Sequence, residues 1–344
     1  MSKIKHILVI RLSAMGDVAM IAPVLRAFVS QYPNVKVTVV SRPFFKPFFE
    51  DIPGVAFFNV DLQGRHEGPT GLLRLFYDLT KLKADAVADL HNAIRSKVIR
   101  KLFALTGKRV TFMDKGRKEK EELTRAENKI FKPLLSTFER HALAFNKLGF
   151  PIDLQHPVFP AKKELSAMSL EVVGTKNGKW IGIAPFAQYE TKMYPLDLIQ
   201  QVIDKLAQNK DYTIFLFGGG QDEVDSLNKL SKGQENIIVV AGKLKLPQEM
   251  EVISNLDVMV SMDSGNGHIA AMLGIKVITL WGATHPYAGF LPFNQPMENS
   301  LIPDRTRYPL LPTSVYGNKT VEGYEDVMHT ISPESVIAKI ESVL

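Results

Sequence analysis

The sequence contains no cysteine, and none of its apolar runs reaches the roughly 18 residues that a membrane-spanning helix needs. The lack of cysteine excludes disulfides, thiolate metal sites and cysteine nucleophiles. The charged N-terminal stretch continues straight into an apolar run and lacks a small-residue cleavage site, which argues against a signal peptide. We therefore expect a cytoplasmic protein.

Several motifs of catalytic and metal sites are also missing. The sequence has no G-x-x-x-x-G-K-[ST] phosphate loop and no G-x-S-x-G nucleophile elbow. The eight histidines show neither H-x-x-x-H nor H-E-x-x-H spacing. We expect neither a metal site nor a bound cofactor.

The composition is that of a globular protein, with 45% hydrophobic and 23% charged residues, and its 344 residues predict two domains. The net charge is +6, and residues 108–132 carry nine Lys or Arg against five Asp or Glu. This basic stretch favours phosphate groups, nucleic acid or an acidic membrane surface, but it also fits a solvated helix with i,i+4 ion pairs. Only Phe112 and Phe131 interleave its charges, which disfavours nucleic acid.

Short Val- and Ile-rich runs alternate with helix-length amphipathic segments, as in parallel sheets covered by helices on both faces. Three prolines within 151–160 predict a linker, after which the alternation begins again. We expect an α/β fold of two Rossmann-like domains, at 1–160 and 161–325. The last segment, 326–344, is predicted to close the chain as a helix.

The first-half elements follow from this pattern. Strands are predicted at His6–Arg11, Lys36–Ser41, Val55–Val60, Asp85–Leu90 and Lys108–Phe112, with helices at about 17–31, 44–50, 71–82, 92–105 and 134–148. Second-half strands are predicted at "WIGIAPF", "YTIFLFGGG", "NIIVVAG", "DVMVSM" and "KVITLWG", and residues 285–330 read as a long loop. Ser332 is the predicted N-cap of the last helix.

The loop "RLSAMGD" leaves the first strand and ends in an acid. Gly16 would permit a close backbone approach, and the positive end of the helix dipole stabilises a carboxylate at Asp17. Two interpretations stay open for Asp17: a helix cap, or a general base aimed at a ligand.

Three loops of the second half carry donors for an anion. Thr191 and Lys192 precede a helix, and a lysine there suits a phosphate. "FGGGQDE" follows an apolar strand, and "SMDSGNGHIAAMLG" opens a helix whose amides could hold a diphosphate. The latter also satisfies G-x-G-x-x-A, but a dinucleotide fingerprint belongs in the first turn of its domain, which disfavours a nicotinamide or flavin site.

Taken together, these loops identify a resemblance. The chain resembles the glycosyltransferase family 9 proteins, the ADP-heptose:lipopolysaccharide heptosyltransferases and their relatives. The matching pieces are "ILVIRLSAMGDVAMIAPVLRAF", "DLHNAIRS", "TKMYP", "FGGGQDE", "AGKLKLPQEMEVISNLDVMVSMDSGNGHIAAMLGIKVITLWGATHP" and "ISPESVIAKIESVL".

The resemblance implies a GT-B architecture, with two Rossmann-like domains whose parallel sheets face each other across a cleft. It also implies that the C-terminal helix, within 326–344, packs back on the first domain. It implies catalytic roles for Asp17, as the base, and for Lys192, as the group that neutralises the donor diphosphate. Donor-binding roles fall on Thr191, Gly218, Gly219, Glu223, Asp263, Ser264, Gly265 and His268. Acceptor-binding roles fall on Ser13, Gly16, His91, Asn92 and Arg95.

The function that the resemblance implies is inverting, metal-independent transfer of a sugar, heptose in the family, from a nucleotide diphosphate donor to a lipopolysaccharide core-type acceptor. The partners would be an ADP-heptose-like donor and an anionic glycolipid, met at the cytoplasmic face of the inner membrane by a peripheral protein, and not nucleic acid. The alternatives are another GT-B nucleotide-sugar enzyme, with a different donor or as an epimerase, and a non-catalytic nucleotide-sugar-binding protein.

Overall fold

Each half of the strand pattern folds into its own parallel sheet. The computed structural model describes residues 4–344, so the first three residues of the N-terminal stretch interpreted above lie outside it. The contacts divide the chain into two units. Unit 1 comprises the described residues up to Gly116 together with Leu135–Phe159, and unit 2 comprises Arg117–Leu134 and Pro160–Leu344.

The strands of unit 1 are β1 (His6–Ile10), β2 (Lys36–Ser41), β3 (Val55–Asn59), β4 (Ala86–Asp89) and β5 (Arg109–Phe112). Their order in the sheet is β3-β2-β1-β4-β5, and every pair is parallel. The strands of unit 2 are β6 (Lys179–Ala184), β7 (Tyr212–Leu216), β8 (Ile237–Val239), β9 (Val258–Met262), β10 (Lys276–Leu280) and β11 (Ser300–Leu301). Their order, β11-β10-β9-β6-β7-β8, is that of a doubly wound dinucleotide-type fold.

The helices of unit 1 are α1 (Met15–Ala19), α2 (Ile21–Gln31), α3 (Gly68–Thr80), α4 (Ile94–Leu105) and α6 (Thr137–Asn146). Those of unit 2 are α5 (Arg117–Thr124), α7 (Ala167–Val173), α8 (Leu196–Leu206), α9 (Gln221–Ser231), α10 (Leu246–Ser254), α11 (Gly265–Met272) and α12 (Pro333–Val343). Short 3-10 helices complete the described chain, among them Pro43–Phe48 and Glu190–Lys192. Among residues 4–344, no helix is both long enough and apolar enough to cross a bilayer.

The predicted elements and the observed ones agree closely, and the α/β fold class is confirmed. Every predicted strand overlaps an observed one, because buried parallel strands such as β1 and β9 are apolar on both faces. The ends agree within about two residues except at β7 and β8, where the predicted runs continue to Gly220 and Gly242, beyond the observed ends at Leu216 and Val239. The structure adds α7, inside the stretch that the prolines marked as a linker, and the two-residue strand β11 within the predicted loop.

The second part of the basic stretch belongs to unit 2, although the sequence places it in the first domain. The Lys129 ammonium donates to the carbonyl oxygens of Leu310 and Pro312, at 2.6 and 2.7 Å. The guanidinium carbon of Arg305 lies over the ring of Phe131, 3.4 Å from the ring centroid. The centroids of the Phe131 and Tyr287 rings are 4.8 Å apart. Arg117–Thr124 forms helix α5, but the solvated-helix interpretation is only partly confirmed, because Lys120 is buried with its ammonium 4.0 Å from the centroid of the Phe290 ring.

The C-terminal helix α12, for which the resemblance implies packing on the first domain, belongs to unit 2. Its buried residues Val336 and Ile340 belong to the hydrophobic core of unit 2, and the helix packs on α8. Its predicted N-cap is observed, since the Ser332 hydroxyl accepts a hydrogen bond from the Ser335 amide at 3.2 Å. The apolar side chains of α12 are buried in the core of unit 2. Neither the periodicity of the helix nor its cap specifies which sheet it packs on.

We predict that Ile340→Ala lowers the free energy of unfolding of unit 2 by about 2–5 kcal/mol, because it leaves a cavity at a fully buried position. Both tryptophans, Trp180 and Trp281, are buried in unit 2, so their fluorescence in urea reports on that unit. The control is Glu341→Ala, an exposed change on the same helix, for which we expect a shift within about 0.5 kcal/mol. Equal stabilities of the two variants would contradict the packing of α12 described here.

Candidate active site

Ligands of doubly wound sheets bind at the carboxyl ends of the strands, where the strand order reverses. This switch point lies between β1 and β4 in unit 1, and between β6 and β9 in unit 2. In each sheet the register brings the two strand ends level, with Ile10 paired to Asp89 and Ala184 paired to Ser261. The loops that leave these four strands are therefore the positions for a ligand.

Most of the residues predicted for the site lie on these four loops or in the first turn that follows them. Those after β1 and β4 are Ser13, Gly16, Asp17, His91, Asn92 and Arg95; those after β6 and β9 are Thr191, Lys192, Asp263, Ser264, Gly265 and His268. The remaining three, Gly218, Gly219 and Glu223, follow β7, the neighbour of β6.

A buried arginine that was not predicted organises the switch point of unit 1. Arg11 follows β1, and 4% of it is exposed. Its Nε donates to the Ser13 carbonyl at 2.8 Å, its Nη1 to the Leu90 carbonyl at 2.7 Å, and its Nη2 pairs with the Asp17 carboxylate. A charged residue directly after a fully buried strand was the available signal, because such a charge requires partners.

Asp17 is the third residue of α1, and about a third of its side chain is exposed. Its Oδ2 accepts from the Ala14 amide at 3.4 Å, a long contact, and from Arg11. The contact with the Ala14 amide fits the capping interpretation. The exposed third of the side chain is accessible to a ligand hydroxyl, so the interpretation as a general base also stays open. Gly16 lies inside α1 with helical backbone, so its close approach to a ligand stays a prediction.

His91 faces Ser13 from the neighbouring loop, with its Nε2 3.4 Å from the Ser13 hydroxyl. Burial, followed by the nearby charges of Arg11 and Lys115, lowers the pKa of His91 to about 4. The imidazole is therefore neutral at physiological pH. His141 of α6 is also near Arg11, and its complete burial lowers its pKa to about 3, with a further contribution from the charge of Arg11.

Asn92 shapes the second loop of unit 1. It has a positive φ of 46°, and the buried Asp89 carboxylate accepts from the amides of His91 and Asn92, at 3.1 and 2.8 Å. The Asn92 side chain donates to the Met113 carbonyl at 2.9 Å, so it anchors the loop. Arg95, by contrast, is exposed in the first turn of α4.

The switch point of unit 2 joins Lys192 to Asp263. The Lys192 Nζ donates to the Asp263 carbonyl oxygen at 2.5 Å and lies 3.3 Å from the carboxylate Oδ2. Both side chains are nearly buried, with 12% and 9% exposed. An ammonium has three N–H groups, so this arrangement leaves one for a ligand.

Two glycines hold the lysine loop in place. A Cβ on Gly282 would lie 2.2 Å from the Thr191 carbonyl oxygen, and a Cβ on Gly317, at φ +83°, would lie 2.5 Å from Cγ of Lys192. The Thr191 hydroxyl donates to the Gly317 carbonyl. Only glycine fits at these two contacts, and the side chain of Lys192 is thereby directed along one path.

Helix α11 begins directly beside Lys192. Ser264 is its N-cap position, and the buried Ser264 hydroxyl has no hydrogen-bond partner in residues 4–344. Gly265 opens the helix, and His268 is nearly buried in its first turn. The first amides of the helix, the unpartnered hydroxyl and the ammonium form a site for an anion.

The glycine loop after β7 is closed by an acid. The Glu223 carboxylate accepts from the Gly219 amide at 2.7 Å, and Gly218 packs against the same side chain. In the described residues, no contact joins Glu223 to Lys192 or Asp263. The described part of the chain also has no group of three His, Asp or Glu side chains arranged as metal ligands.

Known proteins resemble this chain in sequence and in structure. Lipopolysaccharide heptosyltransferase 2 of Salmonella typhimurium is 26% identical over 98% of both chains. Lipopolysaccharide heptosyltransferase 3 of Escherichia coli K12 is 28% identical over 51% of this chain, and the match spans about half (49%) of that relative. The solved E. coli heptosyltransferase WaaC, in complexes with ADP and with ADP-2-deoxy-2-fluoro heptose, superposes with a TM-score of 0.68 at 19% identity, over 98% of this chain and 100% of that one.

The structural likeness establishes the GT-B class of two Rossmann-like domains. The model of the family described as "Glycosyltransferase family 9 (heptosyltransferase)" matches residues 72–307, well over half of the chain. The chain therefore belongs to glycosyltransferase family 9, the heptosyltransferases, and is a glycosyltransferase.

Proposed function

We propose that the protein transfers heptose from an ADP-heptose-like donor to a lipopolysaccharide core-type acceptor, with inversion at the anomeric carbon and without a metal ion. The names of its relatives, as lipopolysaccharide heptosyltransferases, support the substrates. The observation that carries the proposal is the Lys192 ammonium held at the start of α11. An ammonium ion beside a helix N-terminus suits a diphosphate.

In the proposed reaction, the oxygen of an acceptor hydroxyl attacks the anomeric carbon from the face opposite the diphosphate. The bond from that carbon to the diphosphate oxygen breaks, and ADP leaves with the bonding electrons. Asp17 takes the proton of the hydroxyl as the general base. Lys192 and the amides of α11 stabilise the negative charge that develops on the leaving group.

The two catalytic residues lie in different units, Asp17 in unit 1 and Lys192 in unit 2, so the proposed reaction requires both. Arg11 orients the Asp17 carboxylate, and Asp263 orients the Lys192 ammonium. We assign Asp263 a positioning role, because a carboxylate placed against a diphosphate would repel it.

The other predicted residues take binding roles in this proposal. Donor contacts come from the residues around the diphosphate and the glycine loop: Thr191, Gly218, Gly219, Glu223, Ser264, Gly265 and His268. Acceptor contacts come from the loops of unit 1: Ser13, Gly16, His91, Asn92 and Arg95. The exposed Arg95 cation suits an anionic glycolipid. Such an acceptor would place the enzyme, as a peripheral protein, at the cytoplasmic face of the inner membrane.

The donor is tested by thermal shift. We expect ADP and ADP-sugars to raise the Tm more than UDP-sugars or NAD do, because the proposal assigns the site to an adenosine diphosphate. We expect Lys192→Met to weaken ADP binding about 10- to 100-fold, the cost of one charge-assisted hydrogen bond. Calorimetric titration with ADP measures this change.

The matched control is Lys176→Met, which removes another partly buried lysine of unit 2, paired with Asp257 at 2.9 Å. Its ADP affinity is expected to equal that of the wild type. Stronger stabilisation by UDP-sugars or NAD, or equal ADP binding by the two lysine variants, would refute the donor assignment.

The base is tested by Asp17→Asn. We expect kcat for heptose transfer to fall about 10²- to 10⁴-fold, because the amide cannot take the acceptor proton, while ADP affinity stays unchanged. Asp51→Asn is a closely matched control, since Asp51 pairs with the buried Arg26 at 2.5 Å and has a similar exposed fraction, 30% against 34%. Similar kcat values for the two variants would exclude Asp17 as the base.

His91 is expected to act as a neutral hydrogen-bonding group, because its pKa is about 4. In the wild type, kcat/KM should therefore show no inflection near the ordinary histidine pKa of about 6.5. His91→Gln should lower kcat/KM about tenfold, the cost of one hydrogen bond, without changing the shape of the profile between about pH 5.5 and 9. An inflection that this variant abolishes would show that His91 titrates during catalysis.

A further inference from the structure

Helix α4 exposes apolar side chains that the fold of unit 1 does not use. The helix begins at the switch point, and Arg95 is its second residue. Ile94 and Leu105, near its two ends, are 83% and 84% exposed, and Val98 between them is 37% exposed. Single exposed apolar residues are common, so the arrangement of these three decides whether they matter.

The three side chains form one stripe. At about 100° per residue, Ile94, Val98 and Leu105 fall within about 40° of one another around the helix. The buried residues Ile99 and Phe103 lie on the opposite side and belong to the core of unit 1. Helix α4 therefore has two apolar faces, one toward the sheet and one toward solvent.

Positive charge borders the exposed stripe on both sides. By the same helical geometry, Lys101 and Lys97 lie about 20° and 60° to one side of it, and Arg95 lies about 60° to the other. Residues 91–113 contain six Lys or Arg and no Asp or Glu. The three apolar residues and the three cations that border them, Ile94, Val98, Leu105, Arg95, Lys97 and Lys101, are called the outer face of α4.

An apolar stripe bordered by cations limits the classes of partner that can bind this face. A second copy of the same face would bring like charges together, which opposes self-association. Nucleic acid would be attracted by the cations but would leave the aliphatic stripe without a function. An anionic bilayer satisfies both features, because aliphatic side chains enter the boundary of headgroups and acyl chains while lysine and arginine pair with the phosphates.

We propose that the outer face of α4 docks on an anionic lipid bilayer. The helix lies flat, with its stripe in the interface and its cations at the headgroups. Arg95 and the loop of His91 are at the N-terminal end of this helix, so docking brings the acceptor loops of unit 1 to the lipid surface. The inference extends the proposed function, and it rests on that function only for the lipid nature of the acceptor.

Vesicle sedimentation tests the docking without any turnover. The full chain is spun with vesicles of phosphatidylglycerol and phosphatidylethanolamine, and in parallel with vesicles of phosphatidylcholine alone. We expect binding to the first and at least tenfold weaker binding to the second. We expect Ile94→Ser/Leu105→Ser and Lys97→Gln/Lys101→Gln each to weaken binding to the anionic vesicles at least tenfold.

Matched controls come from unit 2. Met168→Ser/Leu170→Ser replaces two exposed apolar residues of α7, and Lys205→Gln/Lys229→Gln removes two exposed cations of α8 and α9. Both should bind as the wild type does. All the substituted residues are exposed except the half-buried Lys97, and an unchanged Tm confirms that the variants fold.

The outcomes separate this inference from the proposed function. Wild-type binding that is absent, or that survives in Ile94→Ser/Leu105→Ser, overturns the docking surface. So does loss of binding in the charge variant alone, combined with competition by RNA, which assigns the face to nucleic acid. Transfer to a deacylated, water-soluble acceptor should stay at the wild-type rate in Ile94→Ser/Leu105→Ser. If the wild type transfers no heptose, the proposed function fails while the vesicle results stand.

Discussion

A buried cation crosses the switch point of each sheet, and the candidate site depends on these two contacts. Arg11 reaches from the loop after β1 to the Leu90 carbonyl on the loop after β4, and Lys192 reaches from the loop after β6 to the carbonyl of Asp263. Each cation also meets a carboxylate, of Asp17 in one unit and of Asp263 in the other. Because an unpaired buried charge is costly, each cation is held by its carboxylate, and its hydrogen bond to the carbonyl across the switch point joins the two loops.

The same electrostatics keep two histidines of unit 1 neutral. Burial and the charge of Arg11 depress the pKa values of His91 and His141, so both imidazoles stay neutral well below pH 6. A neutral imidazole offers one donor and one acceptor without adding charge beside the Arg11–Asp17 pair. The two histidines therefore add no charge next to Arg11 and Asp17 at neutral pH.

Local patterns allowed the strands, most helices and the loops with candidate residues to be predicted from the sequence. An apolar run such as β1 and a loop such as that of Lys192 are each contained within a few residues. Arg11 was missed because its partners Leu90 and Asp17 lie on different loops, one of them 79 residues away. The positions of α12 and of Phe131 were also missed, since both depend on distant residues that offer a hydrophobic surface.

The excursion of Arg117–Leu134 into unit 2 has a consequence for how this architecture can be taken apart. The chain passes between the units three times, after Gly116, after Leu134 and after Phe159, so neither unit is one continuous segment. A chimera joined near residue 160 would pair Phe131 and Lys129 with a foreign loop in place of Arg305 and Leu310. Recombination between relatives must therefore exchange both segments of unit 2, Arg117–Leu134 and Pro160–Leu344, together.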